Sequence, residues 1–185
     1  MNVFDRIYQI AFPYLQTRSN EIHIAVSKRF GESLLLKQKG DPEVVIPAIL
    51  LHDVGWGKLT VEMQNKAIGP GNDKVLNRIH EVEGVKIATN ILAEVNYDKI
   101  KSAEIINIID GHDSRLISIS DNDMIVKDSD KLFRFTSEGF IFYLNFKETS
   151  VKERLSWLES KVDSWFFTQT AKFMALEELK KRNNF

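Results

Sequence analysis

Apolar residues return every three or four positions through most of the chain, and helix-starting residues fall between the periodic segments. The pattern predicts an all-α protein with helices at about residues 2–15, 20–37, 42–54, 73–95, 99–112, 121–135 and 150–181, and a short helix near 61–67. Two of the starts have a mechanism. Asp41 ahead of Pro42 places an N-cap before a proline at the first helical position, where its missing N–H costs nothing. Ser150 and Glu153 have the spacing of a capping box. The segment GFIFYLNF, residues 139–146, is aromatic and apolar without a clear period, so strand, helix and buried connection all fit it. Gly69, Pro70 and Gly71 read as a turn before the helix that carries His80; the loop around them lacks the G-x-x-x-x-G-K-[ST] pattern of a phosphate loop.

A chain of 185 residues with 43% hydrophobic content can bury one substantial core, and its 9 glycines and 4 prolines mark no linker, so a single domain over 1–185 is expected. The last predicted helix carries Leu155, Leu158, Val162, Trp165, Phe166, Phe173 and Leu176, a broad apolar face that most simply closes the core; a homodimer interface is the alternative. No apolar run of 18 residues exists and the N-terminal segment is too polar for a signal peptide, which predicts a cytoplasmic protein with no membrane partner. The net charge of -1, with both signs dispersed, leaves no basic face for a phosphate backbone, so nucleic acid is not an expected partner. The absence of cysteine excludes disulfides, thiolate metal sites and cysteine nucleophiles. Any tight transition-metal site must use His, Asp and Glu.

The four histidines fall in the apolar phase of their predicted helices. His23 is in phase with Val26, Phe30 and Leu34; His52 with Val45, Ala48 and Ile49; His80 with Leu76, Ile87 and Ile91; His112 with Ile105, Ile108 and Ile109. Asp130 is in phase with Val126 and Phe133. A single inward histidine is ordinarily a core residue satisfied by a hydrogen bond. Burying four imidazoles and at least two carboxylates without partners would cost roughly several kcal/mol apiece, comparable with the whole stability of such a domain. A shared cation removes that cost. Imidazole with carboxylate and no thiolate suits a divalent transition metal (Mn, Fe, Co, Ni or Zn), and a carboxylate-rich site admits Mg.

The string LLHDVGWGK around His52 and Asp53, the upstream His23, the H-E-x-x-G of His80, Glu81 and Gly84, then His112 and Asp130 in KDSDKLFRF together resemble the HD-domain superfamily. The match runs over about residues 20–135 and leaves 136–185 as a helical extension. The resemblance implies a compact HD-type helical bundle with an additional long C-terminal helix, and a metal-dependent phosphohydrolase. It implies that His23, His52, Asp53 and Asp130 bind one ion, and that His80 and His112 bind a second bridged by Asp53; the alternative is a single ion with His80 and His112 contacting substrate. The cyclic-dinucleotide phosphodiesterases with an HD-x-G-K run fit less well, because Trp56 stands where their lysine would be and their Gly-Tyr-Pro signature is missing. The H-D-S-R run at 112–115 is closer to small single-domain HD phosphohydrolases, including those that cleave dinucleoside polyphosphates.

A metal-activated water attacking a phosphoester or phosphoanhydride builds negative charge on the phosphoryl oxygens, so cations near the ligands are the next candidates. Arg115, three residues after His112, comes first, followed by Lys58, Lys131 and Arg134; the expected catalytic set is Asp53, Arg115 and Lys58. Glu81 and Asp113, each directly after a histidine, can orient ligands or serve as general acid or base, although adjacent helical residues point about 100° apart. The expected partner is a small, phosphorylated, nucleotide-like molecule. Two other functions fit the same residues: a mixed-valent di-iron oxygenase of the HD fold, which uses the order H, HD, H, H, D, and a non-catalytic nucleotide-binding regulatory module.

Overall fold

Hydrophobic periodicity translates directly into helices. A computed structural model describes residues 2–68, 73–147 and 149–182, without the side chains of 145–147. Among the described residues it contains ten α-helices, one 3-10 turn and no strand. The order is α1 (Val3–Leu15), α2 (Asn20–Leu35), α3 (Pro42–Leu51), the 3-10 turn Val54–Lys58, α4 (Val61–Ile68), α5 (Lys74–Glu94), α6 (Lys99–Ile109), α7 (Asp121–Phe133), α8 (Ser137–Lys147), α9 (Val151–Trp165) and α10 (Gln169–Arg182). The aromatic stretch 139–146 therefore lies in a helix, α8. The turn expected at Gly69, Pro70 and Gly71 lies outside the described residues.

The centre of the fold is α3. Its sequence PEVVIPAILL is apolar on every side and all residues from Val44 to Leu51 are buried. A helix of that kind is stable only when surrounded, and α3 packs against α1, α2, α6 and α7. Asp41 caps it by accepting from the Glu43 N–H at 2.8 Å, with Pro42 at the first position. Asp73, Asp98 and Ser120 cap α5, α6 and α7 in the same manner, and Ser150 with Glu153 forms the expected capping box on α9.

Three boundaries differ from expectation, each for a physical reason. α3 stops at Leu51, and His52 and Asp53 begin the reversal into the 3-10 turn. α6 stops at Ile109, because Gly111 takes φ 118°, a conformation favouring glycine that swings His112 out of the helix. The single helix expected at 150–181 is two helices: Phe166 is extended, and the backbone N–H groups of Phe167 and Thr168 leave the helical ladder to donate to the Asp128 carboxylate at 2.8 and 3.0 Å. The Thr168 hydroxyl donates to the same carboxylate at 2.8 Å and accepts from the Ala171 N–H at 3.1 Å, which starts α10. The expected apolar face is thereby divided. Leu158, Val162 and Phe166 are buried, whereas Phe173 and Leu176 are exposed. Among the described residues no single helix is long and apolar enough to cross a membrane.

Candidate metal centre

The six expected ligands come together beside the C-terminal end of α3. His23 comes from α2, His52 caps the C-terminus of α3 with Asp53 next to it, His80 stands on α5, His112 on the loop after α6, and Asp130 on α7. Each is less than a tenth exposed. They form overlapping groups able to hold a metal: His23, His52 and Asp130; His52, Asp53 and His112; and His80, His112 and Asp113.

The distances are those of donors around common centres. His23 Nε2 lies 3.1 Å from His52 Nε2 and 3.2 Å from Asp130 Oδ1. His80 Nε2 lies 3.2 Å from His112 Nε2. Donors held about 2.1 Å from one ion stand about 3 to 3.5 Å from each other. Asp53 lies between the groups: Oδ2 faces His23 at 3.5 Å, while Oδ1 faces His112 at 3.5 Å, His52 at 3.8 Å and His80 at 3.9 Å. One carboxylate thus lies within reach of donors from both ends of the cluster.

Hydrogen bonds set which ring nitrogen faces the centre. His52 Nδ1 sits 2.8 Å from the Ile49 carbonyl and His112 Nδ1 sits 3.0 Å from the Ile109 carbonyl. A carbonyl accepts only, so Nδ1 carries the proton and the neutral ring turns its Nε2 lone pair inward. His80 Nδ1 has no such partner among the described residues. Its ring is oriented instead by stacking on Trp56, with centroids 4.0 Å apart and planes 10° from parallel. Trp56 also donates through Nε1 to Asp53 Oδ1 at 3.0 Å. The tryptophan that sets this sequence apart from the HD-x-G-K subgroup therefore orients two candidate ligands at once.

The charges point to a cation as well. Burial alone would raise the Asp53 carboxyl, but the charge of His52 and a hydrogen bond with His112 override it and hold Asp53 well below the usual carboxylate range. Burial opposes the Asp130 anion too, and the Arg134 guanidinium beside it, with hydrogen bonds from His23 and His52, keeps it ionised. Burial and the neighbouring His112 push His80 down to about 4. Burial also acts against the His112 cation, yet its hydrogen bond to Asp53 and the charges of Asp113 and Asp53 raise it to about 9. Without metal, the neighbouring carboxylates favour protonated imidazole at His112 and at His52, which their charges also raise against burial. The donor set fits a divalent ion: it supplies lone pairs on oriented imidazoles, ionised carboxylates, and a charge deficit that a proton otherwise fills.

The His112 loop is clamped from two directions. Glu81, fully buried, accepts from the backbone N–H groups of Asp113 and Ser114 at 3.0 and 2.8 Å, from the Ser114 hydroxyl at 2.7 Å and from Arg78 at 2.8 Å. Lys127, 2% exposed, donates to the carbonyls of Gly111, His112 and Arg115 at 3.0, 3.3 and 2.8 Å. Of the two roles sequence reasoning allowed for Glu81, the geometry matches orientation, exerted through the loop.

An open cleft leads to the centre, and the cations around it differ from those expected. The Arg115 guanidinium is turned away from it, donating to the carbonyls of Asp110 and Asn107 at 2.9 and 3.2 Å and lying 3.4 Å from Asp123. The Lys58 ammonium lies over the Tyr14 ring at 5.5 Å rather than on the cleft wall. The structure therefore brings neither Arg115 nor Lys58 to the site. Arg134 does line the cleft, 3.3 Å from both Asp130 oxygens, and Lys131 reaches Asp130 Oδ2 at 3.6 Å. Two residues that sequence reasoning missed join them. Arg18 lines the cleft with its guanidinium 4.2 Å from the Trp56 ring centre, and its Nε and Nη1 are without hydrogen-bond partners among the described residues. Asn20, only 3% exposed, lines the same cleft with an unpartnered Nδ2. The only signal for them in the sequence is their place at the start of the His23 helix, Arg18 just ahead of it and Asn20 its first residue.

Comparison with known proteins gives one match: residues 23–134 fit the family model described as HD domain, a span that opens on His23 and contains every expected ligand. No curated protein and no solved structure matches the chain.

Proposed function

The chain belongs to the HD-domain family, and from that premise we propose that it is a metal-dependent phosphohydrolase that cleaves a phosphoester or phosphoanhydride of a small, nucleotide-like molecule. The observation that carries the reading is the chain of overlapping His/Asp groups, His23–His52–Asp130, His52–Asp53–His112 and His80–His112–Asp113, with Asp53 in the middle one and its carboxylate near all four histidines. In this reading His23, His52, Asp130 and Asp53 hold one ion, and His80, His112 and Asp53 hold the second. Bound divalent ions supply a water that ionises near neutral pH and Lewis acids that polarise the phosphoryl oxygens.

The chain's own side chains do the rest. Asp53 keeps the two groups in register, and Trp56 fixes Asp53 and His80 together. Arg18 and Asn20 line the cleft and carry buried side-chain N–H groups without partners among the described residues, donors of the kind that recognise phosphoryl oxygens. Phe133, Phe142 and Tyr143 form an apolar wall beside these donors, suited to the organic part of the substrate.

The test is phosphate release by protein loaded with Mn or Co from a panel of nucleoside monophosphates, cyclic nucleotides and dinucleoside polyphosphates, with oxygen uptake recorded in parallel. Hydrolysis of at least one class, abolished in His52→Ala, is expected. Oxygen consumption without phosphate release, or no hydrolysis with any metal, contradicts the proposal.

A further inference from the structure

The molecule contains two His-Asp pairs, and they are built alike. His52 and Asp53 follow the C-terminus of α3; His112 and Asp113 follow that of α6. In each pair the histidine Nδ1 bonds the carbonyl three residues back, Ile49 or Ile109, and Nε2 faces the centre. In each, the following aspartate turns its carboxylate towards the imidazoles. Asp113 Oδ2 stands 3.7 Å from His80 Nε2 and 3.9 Å from His112 Nε2, and the three residues together form one of the groups able to hold a metal.

The position of Asp113 is determined by more than its own side chain. Its backbone N–H is bound to the buried Glu81, and Lys127 holds the His112 carbonyl before it. The side chain remains 30% exposed and lines the cleft, so ion and solvent can both reach it.

We propose that Asp113 is a ligand of the second ion through Oδ2, completing a set of His80, His112, Asp53 and Asp113. This rests on the two-ion reading above and deepens it. Without Asp113 the second ion has three protein donors, against four for the first. With it, each ion has two imidazoles and two carboxylates, Asp53 common to both, and the two His-Asp pairs take matching roles. Three carboxylates against two divalent ions leave one net positive charge in the centre, to which hydroxide and a phosphoryl group are drawn.

Metal-free protein titrated with Co(II), followed by isothermal titration and by the visible spectrum of the bound ion, reads this directly and without substrate. The wild type is expected to take up two ions. Asp113→Asn is expected to keep one at wild-type affinity and bind the second at least about tenfold more weakly, with a changed spectrum for that ion only. Asp130→Asn is expected to weaken the other ion instead. Thermal melting verifies that each variant is folded, and Asp113→Ala, which removes the donor outright, is the second variant. Two ions bound to both Asp113 variants with unchanged affinities and spectra overturn the inference alone. A wild type that takes up fewer than two ions overturns the two-ion reading and this inference with it.

Discussion

Replacing Gly55 by alanine would separate the two elements that the centre depends on. A Cβ built at Gly55 falls 1.8 Å from the His80 carbonyl oxygen, 2.6 Å from the Gly84 nitrogen and 2.8 Å from the His80 carbonyl carbon, whereas real Cβ contacts begin at about 3.0 Å. All three obstacles are backbone, so no side chain can rotate aside. The 3-10 turn and α5 must part by on the order of 1 Å, a displacement that at a preorganised site can cost about 100-fold in function. Asp53 and Trp56 lie on one side of this contact and His80 on the other, so the shift falls on the ligands proposed for the second ion. Overpacking of this severity costs about 3 kcal/mol or more, which for a chain of this size lowers the melting temperature by about 6 to 12 °C. Gly84, the glycine of the H-E-x-x-G run, behaves oppositely. Its Cβ would meet Ile109 at 3.5 Å and the Gly55 nitrogen and His52 carbonyl at 3.6 Å, all ordinary contacts. Alanine there gains helix propensity of up to about 1 kcal/mol. Calorimetric melting of metal-free protein and titration with Co(II) should show Gly55→Ala unstable and deficient in the second ion, and Gly84→Ala unchanged or more stable. Equal behaviour of the two variants would refute the packing argument.

Trp56→Phe keeps a ring for His80 but loses the bond to Asp53, and should weaken ion binding about 10- to 100-fold by isothermal titration; wild-type affinity would remove Trp56 from the account. Arg18→Ala and Asn20→Ala should each raise KM about tenfold or more with ion content unchanged, and an unchanged KM would show that these donors do not meet substrate. Arg115→Ala, by contrast, should cost about 1 to 3 kcal/mol of stability while leaving kcat/KM of the folded fraction within about twofold; a large kcat loss would return Arg115 to the chemistry. For pH, the charged His112 stabilises the metal-free fold below the free imidazole value of about 6.5, and that gain is lost as pH rises towards its folded value of about 9. Ion binding needs the neutral ring, so affinity for the second ion should rise about tenfold per pH unit between about 7 and 8.5, while His80, neutral above about 4, adds nothing in that window. Titrations in buffers of different ionisation enthalpy would register the displaced proton, and a flat profile would contradict the assignment.

Helical phase made most of the centre legible because burial is periodic on a helix: His23, His80 and Asp130 stand in the buried stripes of α2, α5 and α7, while His52 and His112 follow directly on the buried ends of α3 and α6. Phase fails where the chain leaves the helix. The reversal at Gly111 takes Arg115 off the helix carrying Ile105 and Ile108, so a spacing of three from His112 no longer predicts a shared face, and the guanidinium turns to Asp110 and Asp123 instead. Arg18 and Ser19 are left-handed, with φ 56° and 57°, which brings Arg18 over Trp56 by a route no periodicity encodes. The break between α9 and α10 was hidden for another reason. The carboxylate that draws the Phe167 and Thr168 N–H groups out of the helix is Asp128, 39 and 40 residues away in sequence. Lys58 is near Asp53 in sequence, but the 3-10 turn carries it round to Tyr14.

The most direct measurement is the anomalous scattering of crystals grown with Mn(II). The account predicts two peaks about 3.5 to 4 Å apart, one among His23, His52 and Asp130, the other between His80 and His112, with Asp53 between them. A single peak, or peaks that do not share Asp53, would contradict it.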